Sequence, residues 1–164
     1  MNIDSSIYKE FLEIAGPVIS TEEFKRQMAF KQHGSTSVYD HVMHVALRAF
    51  TKAYKKKEKY DLRALVYGAL LHDYFLYDWH DKNKPAKFHG FTHPKIAFEN
   101  ACQDLELNKK ERDIILHHMF PLNPIPPTSK EAWIICLADK ICATKETFWS
   151  QPNKHLDLIC GHLD

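Results

Sequence analysis

The stretch DLRALVYGALLHDYF, residues 61–75, is apolar at three- and four-residue steps through Leu62, Leu65, Val66, Ala69 and Leu70, then turns polar at His72 and Asp73. This spacing predicts a helix from Asp61 to about Tyr74 with a wide apolar stripe packed against other elements. Two ionisable side chains at the end of such a stripe cost on the order of a few kcal/mol unless partners satisfy them. The fold must therefore bring polar partners to this point.

The same period runs through most of the chain, and no segment shows sustained strand-like alternation. A first helix is expected over about 4–15, ended by Gly16-Pro17. Ser20 and Glu23 form a capping-box pattern opening a second helix through about Lys31. A third runs from Ser37 to about Tyr54. Thr92 is a cap for a fifth, with Pro94 in its first turn. Asn108 and Glu111 cap a sixth that ends near Met119, and Thr128 and Glu131 open a seventh through about Phe148. Residues 76–91 read as irregular, PLNPIPP (121–127) as a rigid extended connector, and the last fifteen residues as at most one short helix. The expected class is all-α, a compact bundle of about six to eight helices forming a single domain over 1–164.

The chain has 164 residues and a formal net charge of +1, so no global field argues for nucleic acid or an anionic membrane surface. The basic run KAYKKKEK (52–59) reads as a solvated interhelical loop. No apolar stretch has membrane-span length, and the acidic, amphipathic N-terminus lacks a signal-peptide core. Four cysteines show no CxxC pair and no dense spacing. The expectation is a reduced, cytoplasmic protein.

Histidine is the anomaly: of eleven, eight lie between residues 41 and 118. His41 falls in the first turns of helix three, His72-Asp73 at the end of helix four and His93 at the start of helix five. His117-His118 ends helix six, and Asp139 lies within the apolar run IICLADKICA of helix seven. Each interrupts or borders an apolar stripe. Their convergence would build a metal site in a bundle core, and mixed imidazole and carboxylate ligands suit iron, manganese, zinc or nickel better than calcium. His44 reads as structural or supporting, and His33, His155 and His162, near helix ends, as solvated.

The order H…HD…D, here His41, His72-Asp73 and Asp139 within TSVYDHVMHVALRAF, ALLHDYF and ICLADKICA, resembles the signature of the HD-domain metal-dependent phosphohydrolases. The resemblance spans about residues 35–145. It implies a compact all-α bundle, with these four residues as ligands of a first ion and Asp73 as a carboxylate able to bridge two. GFTHPKIAFENA and DIILHHM resemble the segments where dinuclear members place further histidines, which makes His93 and His118 second-ion ligands. His117 joins them only if the helix end bends or two ions flank it, because adjacent helix residues diverge by about 100°. The implied reaction is hydrolysis of a phosphate mono- or diester, of a nucleotide or dinucleotide. Two divalent transition-metal ions would activate the attacking water, with His72 and Asp73 at the catalytic point.

The chain lacks the GYP extension of the cyclic-dinucleotide diesterases. It also lacks the Gly-Lys element that follows the HD pair in many relatives, since Tyr74-Phe75-Leu76 stands there. Substrate contacts are therefore expected from His80, His89 and Lys140, with Lys82, Lys84 and Lys87 as further cations. Two alternatives use the same residues: a di-iron oxygenase of the same fold, and a metal-containing nucleotide-binding module without turnover.

Overall fold

The computed structural model describes residues 4–81 and 88–148. Lys82, Lys84, Lys87, His155, His162 and the C-terminal segment lie outside the described residues. Among the described residues, seven α-helices run in chain order: α1 (Ser5–Ile19), α2 (Glu22–Lys25), α3 (Val38–Tyr54), α4 (Leu62–Leu71), α5 (His89–Asp104), α6 (Lys109–His117) and α7 (Lys130–Phe148). An antiparallel ribbon, β1 (Lys31–His33) with β2 (Thr36–Ser37), joins α2 to α3. The protein is all-α, as its periodicity predicts.

Helix α4 is the axis of the bundle. Asp61 starts it by accepting the Ala64 N–H at 3.0 Å. Every residue from Ala64 to Leu71 is buried, so what reads as a stripe is a helix covered on all sides by α1, α3, α6 and α7. It stops at Leu71 rather than Tyr74, which leaves His72 and Asp73 in the turn that follows. Gly68 permits the closest approach: a Cβ there would lie 2.5 Å from Ile114 Cδ1 and 2.8 Å from Ile114 Cβ on α6. The second atom is fixed to the α6 backbone and cannot rotate away. Gly68→Ala is therefore expected to destabilise by about 1–3 kcal/mol through overpacking, outweighing the gain in helix propensity of up to about 1 kcal/mol. A urea midpoint unchanged from wild type would show that α4 and α6 separate without cost.

Several boundaries differ from the sequence reading. Helix α1 continues past Gly16-Pro17 to Ile19, because the last turn buries Val18 and Ile19 against the core. Thr21, not Ser20, caps α2, accepting the Phe24 N–H at 3.3 Å. That helix has one turn and passes through a 3-10 turn, Arg26–Ala29, into the ribbon. Strands of three and two residues are too short to show alternation. Helix α5 begins at His89, after Phe88 in the left-handed region (φ 59°), so Pro94 falls in its second turn rather than its first. The segment after α6 folds into turns, with Met119 C=O accepting the Leu122 and Asn123 N–H groups, and is not an extended connector. Ser129 caps α7 through Ala132 N–H at 3.2 Å. The Asn108–Glu111 capping box on α6 is present in both directions.

Candidate metal centre

The turn after α4 meets the first turn of α3, the second turn of α5, the end of α6 and the middle of α7. His41, His72, Asp73, His93, His118 and Asp139 are all buried there. Two groups offer ligand atoms within 4.8 Å of one another: His41 with His72 and Asp139, and His72 with Asp73 and His118.

The imidazoles share one orientation. His72 Nδ1 lies 2.7 Å from Ala69 O, His93 Nδ1 2.8 Å from His89 O, and His118 Nδ1 2.8 Å from Ile115 O. His41 Nδ1 lies 2.7 Å from Glu146 Oε2. Carbonyl and carboxylate oxygens only accept, so each Nδ1 carries the proton and donates outward. Each Nε2 is then the atom turned to the centre, where it can face an ion or, in metal-free protein, share a proton with a carboxylate, the orientation that outer partners impose on metal-binding histidines.

The inward atoms satisfy one another only in part: His41 Nε2 is hydrogen-bonded to Asp139 Oδ1 at 3.1 Å, but others are left over. His93 Nε2 and His118 Nε2 lie 2.9 Å apart, and two lone pairs at that distance repel unless a proton or a cation lies between them. His72 Nε2 and Asp73 Oδ1 are buried without a hydrogen-bond partner. Atoms about 2.1 Å from one ion and 90–110° apart are separated by about 3.0–3.4 Å. His41 Nε2 lies 3.1 Å from Asp139 Oδ1, and Asp73 Oδ1 lies 3.1 Å from His93 Nε2 and 3.5 Å from His118 Nε2. The other oxygen, Asp73 Oδ2, lies 3.5 Å from His72 Nε2 and 3.7 Å from His41 Nε2. Orphaned lone pairs at these separations, together with the donor chemistry, fit divalent metal.

Electrostatics agree. Burial opposes charge on every group, but His41 lies between two carboxylates. Its hydrogen bonds to Asp139 and Glu146 outweigh burial and raise its pKa to about 10. Burial likewise opposes ionisation of Asp73, yet the charges of His72 and His93 hold it well below the usual carboxylate range. Asp139 is lowered too, its burial outweighed by the His41 hydrogen bond. His118, dominated by burial, is pushed down and so stays a neutral donor at pH 7. Two ionised carboxylates need positive charge to be stable in so dry a place, supplied by imidazole protons in metal-free protein and by divalent metal in their stead.

A cavity of about 640 Å³ opens over the centre, lined by Asp73, His93 and Asp139 and by His33, Trp79, His89, Met119, Leu122 and Lys140, among others. His89 stacks on Trp79 at 4.8 Å and on His93 at 4.7 Å; burial pushes its pKa down to about 4, so it is a neutral wall and not a cation. Lys140 lines the cavity, and its Nζ donates to His118 O at 3.0 Å and Cys136 O at 3.2 Å.

Three histidines are placed differently from their expected positions. His117 points away from the centre and donates to Asp113 Oδ1 at 2.7 Å, because its neighbour His118 uses the inward direction. Asp113 also accepts the Thr128 and Ser129 N–H groups, which ties α6 to the start of α7. His80 is exposed, 3.4 Å from Asp78 Oδ1, and lies outside the cavity lining. His33 is half-buried rather than solvated and packs edge-on to His41 at 5.4 Å between centroids.

Two residues had not been singled out. Glu146 accepts His41 Nδ1–H at 2.7 Å and His44 Nδ1–H at 3.0 Å. Those bonds outweigh its burial and bring its pKa down to about 2. Its position seven residues after Asp139, two turns along one face of α7, could have flagged it. Gln32, on β1, had no such signal.

The fold and its buried histidine–aspartate centre define an all-α metal-binding bundle. Residues 38–144 match the HD domain, and the chain belongs to that family. The HD domain implies divalent metal and a place in the metal-dependent hydrolase superfamily. No curated protein and no solved structure gave a significant match to the chain. No described helix is long and apolar enough to cross a membrane.

Proposed function

We propose that this chain is a metal-dependent phosphohydrolase that cleaves a phosphate mono- or diester, of a nucleotide or dinucleotide, with two divalent ions. His41, His72, Asp73 and Asp139 would hold one ion; Asp73, His93 and His118 would hold the other. The observation that carries this reading is the set of four imidazoles with Nδ1–H donated outward and Nε2 turned onto two carboxylates. When bound, such ions lower the pKa of a shared water toward neutrality and withdraw charge from a phosphoryl group.

The residues of the chain do the rest. Asp73 offers one oxygen to each histidine group, and two carboxylates against two divalent ions leave a net positive floor for an anionic substrate. The Trp79–His89 stack gives the cavity an aromatic wall. Met119, Pro121 and Leu122 add apolar lining. Lys140, its Nζ held by two carbonyls, lines the cavity.

The test is a phosphate-release screen over nucleotides, dinucleotides and generic esters, with manganese, iron, zinc and nickel varied and oxygen excluded. Metal-dependent release without oxygen supports the reading. Oxygen uptake by an iron-loaded form without phosphate release would replace it with an oxygenase, and nucleotide binding without turnover with a sensing module.

Metal stoichiometry tests the second ion separately. His118→Ala is expected to lower metal content from near two ions per chain to near one, because a three-residue site that loses one ligand weakens by more than the ten- to hundredfold typical of losing a supporting partner. Elemental analysis after purification from manganese- or iron-supplemented medium reads this directly. Wild type saturating at one ion, with His93→Ala and His118→Ala fully active, would return both histidines to other roles.

A further inference from the structure

Gln32 sits on β1, six residues before the region that matches the HD domain, and is buried. Its Nε2 donates to Asp73 Oδ2 at 2.5 Å, and its Oε1 accepts the Trp79 indole N–H at 3.2 Å. A carboxylate only accepts and an indole N–H only donates, so the amide has one possible orientation. It joins the two.

Each end has a consequence. At one, the bond restrains Oδ2 on the side of His41 and His72 and leaves Oδ1, which has no hydrogen bond, facing His93 and His118. The rotation of the carboxylate decides whether its two oxygens can serve two ligand groups. At the other end, the bond holds the indole that stacks on His89 along the cavity wall. Glutamate in this place would set a carboxylate against Asp73, and methionine would make neither bond.

We propose that Gln32 is a positioning residue: its amide sets the rotation of the Asp73 carboxylate so that each oxygen faces one histidine pair, and couples that rotation to the Trp79 wall of the cavity. The inference rests on the metal-centre reading above. It gives a molecule seated against Trp79 a route to the bridging carboxylate through a single side chain.

The experiment uses the full chain stripped of metal and titrated with Co2+ under nitrogen, read by elemental analysis and by the cobalt d–d absorption. Gln32→Met keeps side-chain volume and is expected to weaken the more loosely held ion about ten- to hundredfold, the scale set by lost support of a ligand, and to shift the d–d bands. Trp79→Phe keeps an aromatic wall, breaks only the far end of the bridge, and is expected to shift the bands in the same direction by less. The double variant is expected to match Gln32→Met alone, because both changes act through one side chain. Wild-type cobalt affinity and bands in Gln32→Met would overturn the proposal, as would additive effects in the double variant. If Gln32→Met does not give a wild-type helical CD spectrum, Trp79→Phe decides: unshifted bands reject the coupling. A wild-type chain that binds no cobalt would instead defeat the metal-centre reading itself, and this inference with it.

Discussion

Asp73→Ala is expected to abolish hydrolysis of a generic phosphate ester, by at least about a thousandfold, while leaving the helical CD spectrum largely intact. Removing one preorganised electrostatic contact in an active site costs on the order of a hundred- to a thousandfold, and this carboxylate faces both histidine groups at once. The fold should survive. The substitution leaves the Gln32 amide without its acceptor, a penalty of about 1–3 kcal/mol, against a total stability of about 5–15 kcal/mol for a domain of ordinary size. It also removes a buried carboxylate whose ionisation burial opposes. Phosphate release and metal content measured on the same preparation check the result. Near-wild-type turnover with metal still bound would reject Asp73 as a shared ligand.

Chelation should reveal the centre through stability alone. A ligand present at a thousand times its dissociation constant adds about 4 kcal/mol to the native state. At about 2–4 °C per kcal/mol for a chain of this size, removing one such ion lowers Tm by about 8–16 °C. Asp139→Asn should lose most of that sensitivity, because an amide oxygen carries no charge to the ion. The effect depends on pH. In metal-free protein the His41 pKa, about 10, stands above its ordinary value of 6.5. The proton on His41 therefore stabilises the native state fully below pH 6.5, and that contribution fades as pH rises through 10. Chelation should then cost more at pH 9 than at pH 6.5. An unchanged Tm in EDTA, with metal removal verified, would make the centre a polar network held by protons.

The helices were legible where caps and period agreed. Ser37, Asp61 and Asn108 each sit in front of an apolar run, and each caps the helix expected of it. The polar residues of the centre were legible for the opposite reason: His72, Asp73 and Asp139 break runs that otherwise read as core, and burial without a partner is costly. Their number and order also carried the family resemblance, which the match over residues 38–144 shows. Which of the two histidines at the end of α6 turns inward was not legible from the period, since both border the same stripe; only the family resemblance favoured His118. The helix end decided it by giving His118 Nδ1 the Ile115 carbonyl and His117 the Asp113 carboxylate.

By itself, then, the sequence determined an all-α chain with a cluster of inward-facing imidazoles and carboxylates. Only the tertiary structure decided how those groups are aimed. Three of the four imidazoles are oriented by backbone carbonyls, those of Ala69, His89 and Ile115, and a carbonyl belongs to every residue, so it leaves no mark in a sequence. The fourth is oriented by Glu146, 105 residues away, through the packing of α7 on α3. Gln32 reaches Asp73 across 41 residues from a ribbon too short to have a period. Hydrophobic period records what each segment buries along its own axis; the contacts that aim the ligands exist only once separate segments have docked.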